Sequence, residues 1–124
     1  MKIQKSLEDY LERILIIHNQ KSSVHAVDIA DELGFSKPSV SIAVHKLQKN
    51  GYITINENHE IFLTLKGRKI AEKIYERHLF FSQWLVDLGV SLEIALEDAC
   101  EIEHVISEES FAAIKKLYCN KKLY

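Results

Sequence analysis

Residues near the start of the chain recur at intervals of three and four positions, the spacing that places side chains on one face of a helix. The positions that follow this spacing are Leu7, Leu11, Ile14, Leu15 and His18. We therefore expect a first helix over residues 7–19. Ser6 is its expected N-cap, because acidic residues follow it in the first turn.

The next two segments have the pattern of short helices joined by a tight turn. The first is opened by residues 24–26 and closed by Gly34, the residue type that best adopts a left-handed helix cap. Ser36 can cap the second, with Pro38 tolerated in its first turn and Gly51 at its end. Its buried stripe would be Val40, Val44 and Leu47. This arrangement predicts a helix-turn-helix, whose second helix can enter a DNA major groove.

Apolar and polar residues then alternate on either side of residues 56–60, which predicts a β-hairpin, the wing of a winged helix. Thr64 can cap a long helix, with Gly67 as an exposed interruption in its first turn and Gly89 as its stop. Ser91 and Ser107 are the expected caps of two further helices, over about 92–105 and 108–118.

The composition is that of an ordinary folded protein, with 47% hydrophobic and 27% charged residues. No apolar run exceeds the four residues of 14–17, far short of the roughly 20 that a membrane span needs, and the start lacks an export signal. We expect a cytoplasmic protein without a membrane partner. Its two cysteines are too few for a disulfide scaffold, so a ligand role is open to them.

Charge is unevenly distributed along the chain. Residues 1–79 hold 12 basic and 10 acidic side chains, whereas residues 80–124 hold 4 and 8. Within residues 36–69 there are six basic and two acidic side chains. This suggests a polyanion-binding module joined to a part with another task, although a solvated charged face explains the same pattern.

The outward face of the third predicted helix carries most of the candidate DNA contacts. Small polar side chains near its start would let a helix N-terminus approach phosphates or base edges closely. Basic residues after the hairpin could contact backbone phosphates. The candidates are Ser36, Lys37, Pro38, Ser39, Ser41, Ile42, His45, Lys46, Lys49, Lys66 and Arg68. No Arg or Asn is placed for an obvious bidentate base contact, and a protein-binding role for this face is the alternative.

The stretch CEIEH at residues 100–104 holds a thiol, a carboxylate and an imidazole on one helix face, because Cys100, Glu103 and His104 are three and four positions apart. These donor types together suit a first-row transition metal and not Mg²⁺ or Ca²⁺. Asp9, Glu12 and His78 could complete the ligand set. Each also has an ordinary explanation, as a capping residue, a solvated carboxylate and a partly buried histidine respectively.

Five stretches carry a family resemblance: SLEDYLERI from residue 6, VHAVDIADELGFSKPSV from 24, LTLKGRKIA from 63, ERH from 76 and CEIEHVIS from 100. Together they resemble the metal-dependent repressors of the diphtheria toxin repressor and manganese transport regulator family. The resemblance implies a mainly α protein, with a winged helix-turn-helix DNA-binding domain over 1–72 and an α-helical metal-binding and dimerisation domain over 73–124. The family's carboxy-terminal SH3-like domain would be absent, as in the short, manganese-type form.

The resemblance also implies a ligand set: Asp9, Glu12, His78, Cys100, Glu103 and His104. Cys100 departs from the manganese type, which usually has a glutamate there that can bridge two metals, and matches the iron type. Asp9 favours manganese, so the site is a hybrid. The softer thiolate biases the site toward Fe(II), Co(II), Ni(II) or Zn(II) over Mn(II). With the resemblance, Fe(II) or Mn(II) is the expected metal, iron being preferred, and Zn(II), Co(II) or Ni(II) are also compatible. Leu79 and Ser82 stand where relatives often carry polar or acidic residues, so an ancillary site looks incomplete.

The function implied is a repressor activated by a divalent metal, which would clamp the two halves so that a homodimer fits (pseudo)palindromic operator DNA. Dimerisation rests on the resemblance and on an apolar stripe that an intramolecular core explains equally well. The stripe is Phe81, Trp84, Leu85, Leu88, Ile94, Phe111, Ile114 and Leu117. One rival is a winged-helix regulator that responds to an organic ligand or a protein without metal. A metal enzyme is a second rival, but no phosphate loop or nucleophile elbow supports it.

Overall fold

The computed structural model describes residues 5–122. Over this range the chain forms six helices and one antiparallel hairpin. The helices are α1 (Lys5–Gln20), α2 (Ala26–Leu33), α3 (Lys37–Lys49), α4 (Leu65–Asp87), α5 (Leu92–Val105) and α6 (Glu108–Lys122), and the strands are β1 (Ile53–Ile55) and β2 (Ile61–Leu63). Two compact units divide the chain, the first ending at Lys73 and the second beginning at Ile74. The predicted fold class, mainly α with a winged helix-turn-helix, is confirmed.

In the first unit α1, α2, α3 and the hairpin share one apolar core. Its fully buried side chains are Leu11, Ile14, Ile17, Val24, Ile29, Val40, Leu47, Ile53 and Ile61. The hairpin is attached to the segment before α2, since the backbone N–H of Ile61 donates to the carbonyl of Val24 at 2.7 Å. Burial of this many branched side chains holds the second and third helices in fixed positions.

The structure starts α1 earlier than the sequence predicted. Ser6 lies inside α1, so it is not the N-cap that was expected. α2 begins after His25, whose backbone N–H donates to the Asp28 carboxylate at 2.8 Å. This hydrogen bond holds the pKa of Asp28 below its usual value, and the Lys21 ammonium, 3.1 Å from the carboxylate, adds to the effect.

The turn between α2 and α3 has the predicted chemistry. Gly34 adopts a left-handed conformation with φ of 69°, which closes α2 at little steric cost. The backbone N–H of Ser39 donates to the Ser36 hydroxyl at 3.3 Å, so Ser36 caps α3. The stripe of Val40, Val44 and Leu47 is buried as predicted. The turn and the buried stripe therefore turn the opposite face of α3 toward solvent.

The start of α4 is joined to the end of α3 and to β1. The backbone N–H of Gly67 donates to the Thr64 hydroxyl at 3.2 Å, and that hydroxyl donates to the carbonyl of Gly51 at 2.7 Å. Thr64 is therefore the predicted cap. The prediction that Gly67 is exposed is wrong: Gly67 is buried, and a Cβ there would lie 2.0 Å from the carbonyl oxygen of Tyr52. Only glycine permits this approach of two backbones.

The second unit packs α4, α5 and α6 around an aromatic cluster. Its buried centre is Phe81, Ala99 and Phe111, surrounded by Phe80, Trp84, Ile102, Ile106 and Ile114. Ser91 and Ser107 cap α5 and α6 as predicted, each accepting a backbone N–H three residues ahead. The predicted apolar stripe is divided, because Leu88, Ile94 and Leu117 are exposed while Phe81 and Phe111 form the core. Among residues 5–122, no helix has the length and apolarity needed to cross a bilayer.

Candidate metal centre and DNA-reading face

Four of the six predicted metal ligands meet in the second unit. His78 lies on α4, and Cys100, Glu103 and His104 lie along α5. One donor atom each from His78, Cys100 and Glu103 falls within a mutual distance of 4.8 Å. The Cys100 Sγ is 3.9 Å from the His78 Nδ1. His78 on α4 therefore brings an imidazole to the face of α5 on which spacing placed Cys100 and Glu103.

Glu103 is the centre of this cluster and is completely buried, at 0% exposure. One carboxylate oxygen is 3.2 Å from the His78 Nδ1, and the other is 3.4 Å from the His104 Nε2. Within the described part of the chain, neither oxygen accepts a hydrogen bond that meets the usual geometry. A buried carboxylate without hydrogen bonds is costly unless a positive charge accompanies it. The Glu103 carboxylate, the two imidazoles and the Cys100 thiol are together a donor set that fits a first-row transition metal.

The remaining predicted ligands lie on α1 in the first unit. Glu12 is buried at 7% exposure, which is uncommon for a glutamate, and Asp9 three residues earlier is half-buried. Their membership of the ligand set stays a prediction. The hydroxyl of Ser82 donates to the carbonyl of His78 at 2.7 Å, within α4. Leu79, the other position at which the family resemblance implies a polar or acidic residue, is an exposed apolar side chain.

The DNA candidates on α3 lie on its solvent face. The exposed members are Lys37, Pro38, Ser39, Ser41, Ile42, His45, Lys46 and Lys49. Ile42, at the middle of this face, is 65% exposed. Ser36 and Ser39 join their hydroxyls at 2.9 Å in the first turn. The face thus has a small polar start, an apolar centre and lysines toward its end.

The two candidates on α4 have partners within the protein. The Lys66 ammonium donates to the carbonyl of Asn50 at 3.1 Å and lies 4.3 Å from the centre of the Tyr52 ring. Arg68 is 3.7 Å from the carboxylate of Glu72, one helical turn later. Lys66 therefore helps to close the end of α3, a role that the sequence did not indicate. Whether either residue also contacts phosphate stays a prediction.

Arg77 was missed entirely by sequence reasoning. It immediately precedes His78 on α4, is 4% exposed, and donates to the main-chain carbonyls of Glu103 at 3.2 Å and Ile106 at 2.7 Å. The buried Arg77 guanidinium is therefore part of the surroundings of the candidate ligands His78 and Glu103. The sequence offers no signal for it beyond an arginine next to a candidate ligand, because its acceptors are backbone atoms 26 and 29 residues away.

A winged helix with an exposed polar face on its second helix, together with a helical unit that gathers nitrogen, sulfur and carboxylate donors, defines a class: DNA-binding transcriptional regulators with a transition-metal site. Two family models match the chain. Residues 2–60 match the N-terminal DNA binding domain of the iron dependent repressors, and residues 64–121 match their metal binding and dimerisation domain. The chain belongs to the iron-dependent repressor family of metal-dependent transcriptional regulators, which are not enzymes.

Relatives of known function agree with this membership. The transcriptional regulator MntR of Escherichia coli is 37% identical over 109 residues, which are 88% of this chain and 70% of the relative. The MntR of Geobacillus kaustophilus is 38% identical over 102 residues, covering 82% of this chain and 72% of the relative. The predictions of this family and of a non-enzymatic regulator are therefore confirmed.

Solved structures share the fold over almost the whole chain. The manganese regulator SloR superposes with a TM-score of 0.81 at 26% identity, over 95% of this chain and 54% of its own. A manganese-dependent transcriptional repressor in complex with manganese superposes with a TM-score of 0.79 at 26% identity, over 89% of this chain and 51% of its own. The chain thus spans about half the length of these structural relatives.

Proposed function

We propose that this chain represses metal-homeostasis genes by binding operator DNA through α3 when a divalent transition metal, Fe(II) or Mn(II), is bound. The observation that carries the proposal is the buried Glu103 carboxylate, whose oxygens lie 3.2 Å and 3.4 Å from two imidazoles beside the Cys100 thiol. Relatives named for manganese regulation support the type of effector.

His78, Cys100, Glu103 and His104 are proposed to hold the metal, with Asp9 and Glu12 added from the sequence. When bound, the metal would supply positive charge beside the fully buried Glu103 carboxylate. Cys100 biases the site toward Fe(II) over Mn(II), because thiolate is the softer ligand. Zn(II), Co(II) and Ni(II) fit the same donors and belong in any test.

The DNA partner is proposed to be a double-stranded, (pseudo)palindromic operator bound by a homodimer. The exposed face of α3 would read the major groove, and Lys46 and Lys49 near its end would pair with phosphates. Two α3 helices about 34 Å apart would enter successive major grooves. The DNA-binding domain would cover residues 1–72 and the metal-binding and dimerisation domain residues 73–124. The cytoplasm, where operator DNA is found in bacteria, is the proposed compartment.

The test is a DNA-binding titration with a metal panel. The protein is stripped with a chelator, and fluorescence anisotropy follows its binding to a duplex obtained by selection from a random library. We expect Fe(II) or Mn(II) to tighten binding by about tenfold or more, since allosteric couplings are typically 5- to 150-fold. Binding that is indifferent to chelator and to every metal would instead identify the metal-free regulator.

A pair of variants on one helix assigns the response to the site. Glu103→Gln removes the buried charge and should abolish the metal response. Glu101→Gln removes an exposed charge two residues earlier on α5 and should leave the response intact. The same assay with Asp9→Asn and Glu12→Gln tests the two α1 ligands. An unchanged metal response in Glu103→Gln would exclude the proposed site.

A further inference from the structure

Two consecutive residues of α4 hold Glu103 from opposite ends. His78 contacts the side-chain carboxylate at 3.2 Å, and Arg77 donates to the main-chain carbonyl of the same residue at 3.2 Å. The second Arg77 hydrogen bond, to the carbonyl of Ile106 at 2.7 Å, fixes the first residue beyond α5. The backbone that carries the central carboxylate is therefore tied to the helix that carries the imidazole.

The hydrogen bond from Arg77 to Glu103 lies at the C-terminal end of α5, where main-chain carbonyls lack partners within the helix. The last carbonyls of a helix have no partner within the helix, and the negative end of its dipole favours a cation. Glu103 is in the last turn of α5, and Arg77 brings a permanent positive charge to its carbonyl. The Phe111 ring, 5.4 Å from the guanidinium carbon, covers this charge. Lateral movement of the end of α5 would break both hydrogen bonds together.

A contribution to fold stability does not by itself explain why a buried arginine occupies position 77. Its side chain is buried at 4% exposure, and the structure gives its Nε no hydrogen-bond partner among the described residues. A buried cation with an unsatisfied N–H stabilises a fold little, and a well-packed apolar side chain of similar size often does as well or better. What an apolar residue cannot do is fix two carbonyls in place.

We propose that Arg77 is a positioning residue of the metal site: it holds the main chain of Glu103 so that the carboxylate meets His78 and Cys100 before a metal arrives. This inference rests on the proposed function of the site. Ligands that are already in position lose less conformational freedom on binding, so removal of Arg77 lowers metal affinity without removing a ligand.

Co(II) binding to the metal-free 124-residue chain tests the proposal. Kd is measured together with the thiolate-to-Co(II) charge-transfer absorbance, at a temperature where circular dichroism shows each variant to be folded. Arg77→Met should raise Kd about tenfold or more, the usual effect of losing a residue that orients a ligand, and should weaken the absorbance at saturation. Arg77→Lys keeps a cation that can reach one carbonyl and should recover part of the affinity.

Lys115→Met is the matched control. Lys115 also joins another helix to α4, through an ion pair of 3.4 Å with Glu76, and its ammonium also lies near the Phe111 ring. It makes no contact with α5 among those observed, so its loss should leave Kd and absorbance unchanged. If Arg77→Met does not fold, Arg77→Lys decides by the same comparison.

The outcomes are distinct. Wild-type Kd and absorbance in the folded Arg77 variants would overturn the inference and leave the proposed function standing. An equal rise of Kd in Lys115→Met would also overturn it, because the effect would then be a general loosening of the helices. A wild-type protein without Co(II) binding would overturn the proposed function and the inference with it.

Discussion

Cys100 and Glu103 differ sharply in exposure although they lie three residues apart on α5. Glu103 is fully buried, whereas Cys100 is exposed to solvent. The carboxylate is therefore enclosed by packing, while the thiol is accessible to solvent. At the residue scale, the choice between metals is expected to depend on the exposed donor, because it can change without disturbing the core.

The substitution Cys100→Glu tests this choice. A carboxylate in place of the thiolate makes the donor set harder and should shift the preference toward Mn(II) over Fe(II), on the order of tenfold in the ratio of dissociation constants. Anaerobic titration of both metals gives the ratio. Cys119→Glu alters the other exposed cysteine and should leave the ratio as it is. An unchanged ratio in Cys100→Glu would count against Cys100 as a ligand.

Gly67 makes a second prediction for a single residue. A methyl group there would lie 2.0 Å from the Tyr52 carbonyl oxygen, so the backbones of α4 and the β1 entry must separate. We expect Gly67→Ala to lower the free energy of unfolding by about 2 kcal/mol, in the range of overpacked sites. Chemical denaturation measures the loss. The neighbouring exposed Arg68→Ala should change stability far less, and a Gly67→Ala protein as stable as the wild type would contradict the close approach.

At the scale of elements, the start of α2 depends on one carboxylate. Asp28 accepts the backbone N–H of His25 and lies 3.1 Å from the Lys21 ammonium, which lowers its pKa below the ordinary 3.8. A lowered folded-state pKa means that the stabilisation is complete above about pH 4 and disappears as the pH falls through that lower value. The helix-turn-helix should therefore loosen in acid.

Asp28→Ala and Asp28→Asn separate the hydrogen bond from the charge. We expect Asp28→Ala to cost about 1 kcal/mol of stability at neutral pH, as the loss of a helix-terminal acceptor usually does. Asp28→Asn keeps an acceptor and should fall between. Denaturation between pH 7 and pH 3 should show the wild type approaching Asp28→Asn at low pH. A constant difference between them would rule out the charge as the source.

The helix caps show which elements a sequence can predict. Ser36, Thr64, Ser91 and Ser107 cap the helices they were expected to cap, because a cap contacts backbone only three residues away. α5 runs over the predicted 92–105 for the same reason. Helical spacing alone also placed Cys100 and Glu103 on one face of α5, where both lie in one potential ligand group with His78.

Features that depend on distant parts of the chain could not be predicted in this way. Gly67 contacts Tyr52, and Arg77 contacts the carbonyls of Glu103 and Ile106. No local pattern distinguishes a glycine needed for close packing from one tolerated in a helix. For the same reason, the sequence did not show which residues of the apolar stripe lie in the core and which on the surface, because this depends on how α4, α5 and α6 pack together.

At the scale of the whole molecule, exposed leucines in the second unit mark the proposed homodimer surface. Leu88 and Leu92 are 65% and 63% exposed, and Leu96 lies on the same face of α5 as Leu92. Leu88→Asp or Leu92→Asp should weaken self-association about tenfold or more, measured by sedimentation equilibrium. Leu65→Asp changes an equally exposed leucine of the first unit and should have no effect. Unaltered dimerisation in both variants would place the interface elsewhere.

Metal and DNA must also affect each other symmetrically. If metal tightens operator binding, operator must tighten metal binding by the same factor, with a coupling of about 1–3 kcal/mol. Calorimetric metal titrations with and without the selected duplex measure this, and a scrambled duplex of the same length is the control. Equal metal affinities with and without operator would contradict metal-dependent repression by this chain.

The buried glycine at the start of α4 has a consequence for genetics. If the chain represses genes as proposed, we expect a screen for derepressed mutants to recover changes at Gly67 alongside changes at α3 residues that contact DNA. Only the former would also lower the cellular amount of the protein, because an unstable domain is degraded. Immunoblots of such mutants would therefore separate folding defects from losses of recognition.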